Sequence, residues 1–370
     1  MDLPPFRLER YLAEYEFRAP HLLCTSDCQS ISVGDLLAHE EGAGERFMNH
    51  GLGYTESRGA PDLREEIAGL YDAVPTSGIL VSAGAEEAIF LFMNALLEPG
   101  DEVIVQMPAY QSLHEIARGA GCRVVPWPLA DATGWRPDIE RLKERVTDRT
   151  RAIVINTPHN PTGCHMTREE YLAVRDIAAE RDIHIFSDEV YRFLEYDPAG
   201  RLPPMADIYE KGVSVGVMSK AFGLAGLRIG WTAAQDTALL DRMAALKDYT
   251  TICCSAPSEF LSAVALRHRE EIVGKNLAII GDNLALLDRF FAGHADLFSW
   301  VRPTAGAIAF PRLLSGGAEG FCRTVVEESG VLLLPSSVYD FGDSHFRIGF
   351  ARSDMGPALA AFSAYLEQIR

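Results

Sequence analysis

The stretch VMSKAFGLAGLRIGW, residues 217–231, sets Lys220 directly after Ser219 and Arg228 eight residues on, with glycines between them. A lysine amine that is kept neutral is a nucleophile and a base. An arginine guanidinium grips an oxyanion through two parallel hydrogen bonds. Taken alone, the pair reads as two surface charges. Other groups capable of chemistry recur at one kind of place along the chain. Gly84, Ala85 and Glu86 follow GILVS, Tyr110 follows EVIVQ, Asn160 follows AIVIN, and Asp188 and Tyr191 follow IHIFS.

Those places are predicted strand ends. Short apolar runs such as GILVS, DEVIVQM, CRVVPWPL, TRAIVIN, IHIFS, VSVGVM and LRIGWTAA alternate with helical patterns such as EEAIFLFMNALL and TREEYLAVRDIAAERD. That alternation means βαβ units and a mostly parallel sheet, an α/β fold. In such a sheet, ligands bind beyond the carboxyl ends of the strands. LERYLAEYEF and SVGDLLAHE read as helices, the second with Ser32 as N-cap, and Pro61 opens a third. A helical stretch from about Asp236 to Phe291 is expected to leave the sheet. The tail, with AGAIAFPRL, GVLLLPSSVY and FRIGFAR, mixes strands and helices like a small α+β unit.

A helix that opens at Gly84 offers backbone N–H groups and a favourable dipole to an anion. On its own it is better read as a plain strand-to-helix turn. Tyr110 adds a flat ring, Asn160 an amide, Asp188 a carboxylate, Tyr191 a phenol and Lys220 an amine. Each alone reads as structural. Together they match the needs of pyridoxal 5'-phosphate (PLP), which has a phosphate, an aromatic ring, a phenolic oxygen, a pyridine nitrogen and an aldehyde that takes an amine.

With NPTG, SDEVY, SKAFGLAGLRIGW and FRIGFAR in this order, the chain resembles the class I and II aminotransferases from about Tyr54 to Arg352. These are the fold-type I PLP enzymes related to aspartate aminotransferase. The resemblance implies a mostly parallel seven-stranded sheet between helices, and a small α+β domain formed by both termini. It divides the chain into an arm at 1–45, a large PLP-binding domain at 46–274 and a small domain at 275–370. It makes Lys220 the Schiff-base lysine and general base, Arg228 and Ser219 phosphate ligands, and Asp188 the partner of the pyridine nitrogen. Asn160 and Tyr191 would hydrogen-bond the phenolic oxygen, Tyr110 would stack on the ring, and Gly84, Ala85 and Glu86 would cradle the phosphate. Arg347 would bind the substrate α-carboxylate. Tyr54, five residues before Gly59, matches a tyrosine that reaches the neighbouring subunit's phosphate. A homodimer with shared sites is therefore implied, with DYTTICCSAPSE as a second crossing segment. The implied activity is transamination of an α-amino acid with a 2-oxo acid as acceptor.

Two departures stand out. The family's serine three residues before the lysine is Val217 here, which implies weaker phosphate binding or compensation elsewhere. At the N-terminus, LLCTSDCQSISVGDLL replaces the glycine-rich segment that many relatives close over the substrate. Together with LERYLAEYEF it resembles, more loosely, capreomycidine synthase and the enduracididine-forming cyclases, which close a guanidine ring on a hydroxylated arginine. If this segment lids the site, Glu9 and Asp27 would select a cationic, arginine-like side chain by bidentate pairing. The bland readings are a solvated helix for Glu9 and a turn cap for Asp27. Glu56 reads as a loop acid, and His159 as either a partner of cofactor ligands or a turn residue. The alternative activity is thus elimination or cyclisation on a hydroxyarginine-type substrate. A non-catalytic PLP-binding regulator is a third reading, and the set Lys220, Asp188, Asn160, Arg228 and Arg347 argues against it.

Composition bounds the rest. The 370 residues are 48% hydrophobic and 23% charged, ordinary values for a globular protein, and the net charge of −18 disfavours nucleic acid as a partner. Seven cysteines at scattered spacings suggest neither a disulfide framework nor a metal site, although Cys24 and Cys28 could share a helical face. We read them as reduced thiols of a cytoplasmic protein. No run is long enough for a membrane span, and the first residues carry no signal sequence.

Overall fold

After a short strand β1 (His21–Leu22), the apolar runs form β2 (Ile79–Ser82), β3 (Glu102–Met107), β4 (Arg123–Pro128), β5 (Thr150–Asn156), β6 (His184–Asp188), β7 (Gly212–Val217) and β8 (Gly230–Ala234). The computed structural model describes residues 2–369. Strands β2 to β8 make one sheet in the order β2-β8-β7-β6-β5-β3-β4. Strand β8 runs antiparallel to both of its neighbours, and all other pairs are parallel.

Alternate residues of each central strand serve two cores. Ala152 and Val154 of β5 join Phe92, Leu113 and Phe186 on one side, whereas Ile153 and Ile155 join Tyr171, Val174 and Ile185 on the other. This explains why the strands read as unbroken apolar runs. A parallel sheet covered by helices on both faces has no polar face to show.

The carboxyl ends of β2, β3, β5, β6 and β7 all lie along one edge, and β8 starts there. Register then fixes which residues share that edge. Ser82 and Val217 both pair with Gly230, and Asn156 pairs with Asp188.

Both termini build the smaller part. Strand β1 pairs in parallel with Val331–Leu332, and Phe346–Gly349 is flanked by Ile308–Ala309 and Leu334–Pro335. Helices Ala318–Ser329 and Met355–Gln368 pack against these strands and each other. The expected helical stretch from Asp236 to Phe291 proves to be three helices, Thr237–Lys247, Ala256–Arg267 and Arg269–Gly293. The first does not leave the sheet domain: it packs on helix Gly84–Leu96, and Arg242 bonds the Ala95 carbonyl.

Residues 23–29 form an irregular strap rather than a helix, so Cys24 and Cys28 share no helical face. The strap is stitched down by backbone. Gly349 N–H donates to Leu23 at 2.7 Å, Gln29 N–H to Ala351 at 2.8 Å, and Cys28 N–H to Lys220 at 3.3 Å. A methyl group at Gly349 would sit 1.6 Å from the Thr25 carbonyl oxygen, which only a displaced strap would relieve.

Gly349→Ala is therefore expected to lower stability by roughly 1–3 kcal/mol. Gly281, on an open face of helix Arg269–Gly293 with nothing within 4 Å, should gain roughly 0.5–1 kcal/mol on change to alanine. Urea unfolding midpoints of the two variants check this, and an unshifted Gly349→Ala would contradict the tight strap.

Candidate active site

A cavity of about 370 Å³ opens at the carboxyl edge of the sheet, and its wall carries Ala85, Glu86, Tyr110, Asn160, Asp188, Tyr191, Ser219, Lys220, Arg228 and Arg347. Glu9 of helix Arg7–Tyr15 and Asp27 of the strap close it from above. Gly84 stands one residue behind Ala85. Of the residues singled out from the sequence, Tyr54, Glu56 and His159 lie off the cavity wall, Tyr54 being 92% exposed. Glu56 is a loop acid paired with Arg64 at 2.7 Å, and His159 is buried against the Thr162 hydroxyl.

Lys220 follows the last residues of β7, and the surface it retains is cavity wall. Desolvation pushes its amine down to about 8, with Asp27 opposing that shift. Its Nζ donates to Ser26 Oγ at 2.8 Å and lies 5.8 Å from the centre of the Tyr191 ring. Asp188 ends β6, and burial pushes its carboxyl up to about 7, against the Val190 N–H that donates to it at 3.2 Å. A cationic ring nitrogen placed opposite would restore its charge. Asn156, which the strand-end reading passed over, locks this corner. Its Nδ2 donates to the Asp188 carbonyl at 2.9 Å and its Oδ1 accepts from Asn160 N–H at 2.6 Å.

At the other end of the cavity, helix Gly84–Leu96 begins. Glu87 takes the Ala83 N–H, while the first-turn N–H groups beyond it have no intrahelical acceptor. Arg228, in a left-handed backbone conformation, reaches this turn so closely that a Cβ on Gly84 would come within 2.6 Å of its Nη2. Gly230 carries no side chain for the same reason, since a Cβ there would meet the Ala85 nitrogen at 2.8 Å. Ser219 Oγ accepts from Arg228 at 3.5 Å. The arrangement is an anion cradle of helix N-terminus, guanidinium and hydroxyl. Val217 adds only an apolar wall.

Arg347, 3% exposed, faces the third side. Its Nε and Nη2 donate to the Cys24 carbonyl at 3.0 and 2.7 Å, and its Nη1 to the Tyr339 hydroxyl at 2.6 Å and Asn160 Oδ1 at 3.4 Å. Asp27 is held bidentately by Arg352 at 2.9 Å. Sequence reading missed Ser26, Glu16, Asn156 and Arg352, all on the cavity wall. Arg352 lay inside a motif already singled out, and Asn156 was itself a strand end.

The cavity fits PLP on its own evidence. The buried Tyr191 hydroxyl has Ser26 beside it but makes no hydrogen bond of good geometry among the described residues, as a phenol awaiting an acceptor would be. An anion cradle, a buried carboxylate and an amine of lowered basicity occupy three sides of one space. These features define a PLP-binding enzyme on an open α/β sheet.

The comparisons make this specific. The family model for aminotransferase class I and II matches residues 38–359. Capreomycidine synthase of Streptomyces vinaceus is 31% identical over 98% of this chain and 94% of its own. The probable N-succinyldiaminopimelate aminotransferase DapC of Mycobacterium tuberculosis is 32% identical over 77% of this chain and 74% of its own. A PLP-dependent aminotransferase from Streptococcus suis superposes with a TM-score of 0.94 at 32% identity, covering 100% of this chain and 99% of its own. The PLP-dependent cyclase OrfR gives 0.91 at 29% identity, with the same coverage. The chain belongs to the class I and II aminotransferase family of fold-type I enzymes, and its cofactor is PLP.

Arg228→Lys keeps the charge and loses the two-pronged grip. It is expected to weaken PLP retention roughly tenfold, and Arg228→Ala more. Absorbance titration of PLP during stepwise dialysis measures this, and unchanged retention in both variants would contradict the cradle.

Proposed function

We propose that the chain is a homodimeric, cytoplasmic aminotransferase that acts on an α-amino acid with a cationic, arginine-like side chain and passes the amino group to a 2-oxo acid. PLP, when bound, supplies the aldehyde that takes the substrate amine and a ring that withdraws electrons from Cα. The chain's residues do the rest. Lys220 holds the cofactor and, once released, takes the proton from Cα. Asp188 keeps the ring nitrogen protonated. Tyr191 and Asn160 bond the phenolic oxygen, Tyr110 covers the ring, and Arg228, Ser219 and the first turn at Gly84, Ala85 and Glu86 hold the phosphate. Arg347 takes the α-carboxylate, which replaces the Cys24 carbonyl as its partner.

One observation supports the cationic side chain. Glu9, Leu12 and Glu16 lie on one face of the first helix and its cap, over the cavity. Burial raises the Glu16 pKa, and the charges of Glu9 and Asp27 add to the effect. Asp27 is already paired with Arg352, whereas Glu9 and Glu16 form no ion pair among the described residues. A guanidinium would relieve that repulsion. For the dimer, exposed Met48, Leu52, Tyr54 and Tyr249 lie on two segments joined by the Ser57–Asp248 and Lys247–Ser57 hydrogen bonds. Such an apolar patch suits a second copy, and Tyr54 would reach that copy's site. Seven free thiols suit a reducing compartment. Among the described residues no helix is long and apolar enough to cross a membrane.

Elimination or cyclisation on a hydroxyarginine-type substrate is the second reading. It is favoured by the match to capreomycidine synthase, which spans the segment bearing Glu9 and Glu16.

Mass spectrometry of the PLP-loaded protein with a panel of amino acids, arginine and 4-hydroxyarginine included, and no 2-oxo acid separates the two. Consumption that stops near one equivalent per site means transamination, whereas many turnovers with loss of water mean elimination or cyclisation. In either case Glu16→Gln and Glu9→Gln should raise KM for the cationic substrate roughly tenfold and leave neutral amino acids unaffected. Equal effects on both substrate classes would contradict the acidic subsite.

A further inference from the structure

Lys220 Nζ donates to a single side chain outside its own loop, Ser26, at 2.8 Å. Ser26 lies in the strap, and the strap is tethered on both sides of it. The Cys24 carbonyl is gripped by Arg347 at 3.0 and 2.7 Å, and Asp27 by Arg352 at 2.9 Å. Cys28 N–H donates to the Lys220 carbonyl at 3.3 Å, and Gln29 N–H to Ala351 at 2.8 Å. The hydroxyl is thus held against the lysine amine by contacts on both sides of it. A serine hydroxyl carries two acceptor lone pairs and one proton. It therefore accepts from the amine and keeps its own proton free to donate.

We propose that Ser26 is a further catalytic residue of this site, holding the Lys220 amine towards the substrate Cα and accepting a hydrogen bond from the ammonium that forms there. In that step the Cα–H bond breaks and an N–H bond forms on Lys220. The electron pair left on Cα is the one the bound cofactor withdraws, and Ser26 neither gains nor loses a proton. The proposal rests on Lys220 being the reacting amine. It goes beyond that reading, which gives Ser26 no role.

The charged and titratable groups facing the amine are Asp27 and Cys28 on the strap, Asp188 on β6, Tyr191 just after it, Arg228 before β8 and Arg347 on the C-terminal strand. A substitution at Ser26 leaves these side chains in place, but Tyr191 also senses the Ser26 hydroxyl, so Ser26→Thr is the control that keeps that hydroxyl. An acceptor favours the protonated nitrogen, so its loss lowers the pKa of that nitrogen.

The test uses the PLP-loaded enzyme as wild type, Ser26→Ala and Ser26→Thr. In Ser26→Ala, the pH at which the PLP–Lys220 absorption band changes should fall by about half a unit or more. Its kcat should fall roughly tenfold or more with KM nearly unchanged, and deuterium at Cα should slow it more than it slows the wild type. Ser26→Thr, which keeps the hydroxyl, should restore all three. A normal wild-type band with an unshifted titration and isotope effect in Ser26→Ala overturns the role of Ser26 alone. Failure of threonine to restore them overturns it as well. Absence of the band in the wild type overturns the assignment of Lys220 and the proposal with it.

Discussion

Lys220 and Asp188 share one cavity, bear opposite charges, and are both withdrawn from water. Burial brings the amine down to about 8 and the carboxyl up to about 7, so each is poised to change charge near neutrality. Desolvation alone would leave both neutral and inert. What keeps them useful is the ring of fixed groups around them. Arg228 and Arg347 favour a neutral amine, Asp27 favours a charged one, and the Val190 N–H holds some charge on Asp188. The sheet makes this balance possible. Parallel strands deliver Asn156 and Asp188 to one edge in fixed register, and β7 leads to the turn that carries Lys220.

The N-terminal strap adds a second level. One short segment touches the lysine loop, through Ser26 and the Cys28 N–H, and the buried Arg347, through the Cys24 carbonyl. Arg347 is buried with Nε and both terminal nitrogens bonded, so it is satisfied before any substrate arrives. A buried arginine without such partners would be costly to hold. The strap thereby joins the lysine loop to the buried arginine on the opposite wall of the cavity.

Much of this could be read in the sequence. The strands were visible because both of their faces are buried, and the rule that ligands gather at carboxyl ends led to Tyr110, Asn160, Asp188, Tyr191 and Lys220. Arg228 and Arg347 followed from motif resemblance. Ser26 and Glu16 were out of reach, because no periodicity marks an irregular strap or the cap of a surface helix as part of a distant sheet edge. Asp27 was found, but its pairing with Arg352 joins residues 325 positions apart, which no local pattern encodes. The stretch from Asp236 to Phe291 read as one run because its breaks, at residues 248–255 and at His268, carry few strong helix-stopping residues. Tyr54, found by motif resemblance, lies exposed away from the cavity.

Every role proposed for this site depends on Lys220 being the amine that holds PLP. Borohydride reduction of the PLP-loaded protein, followed by digestion and peptide mass mapping, tests it directly. A pyridoxyl-phosphate group is expected on the peptide containing Lys220 and on no other lysine. Its appearance on another lysine, or on none, would contradict it.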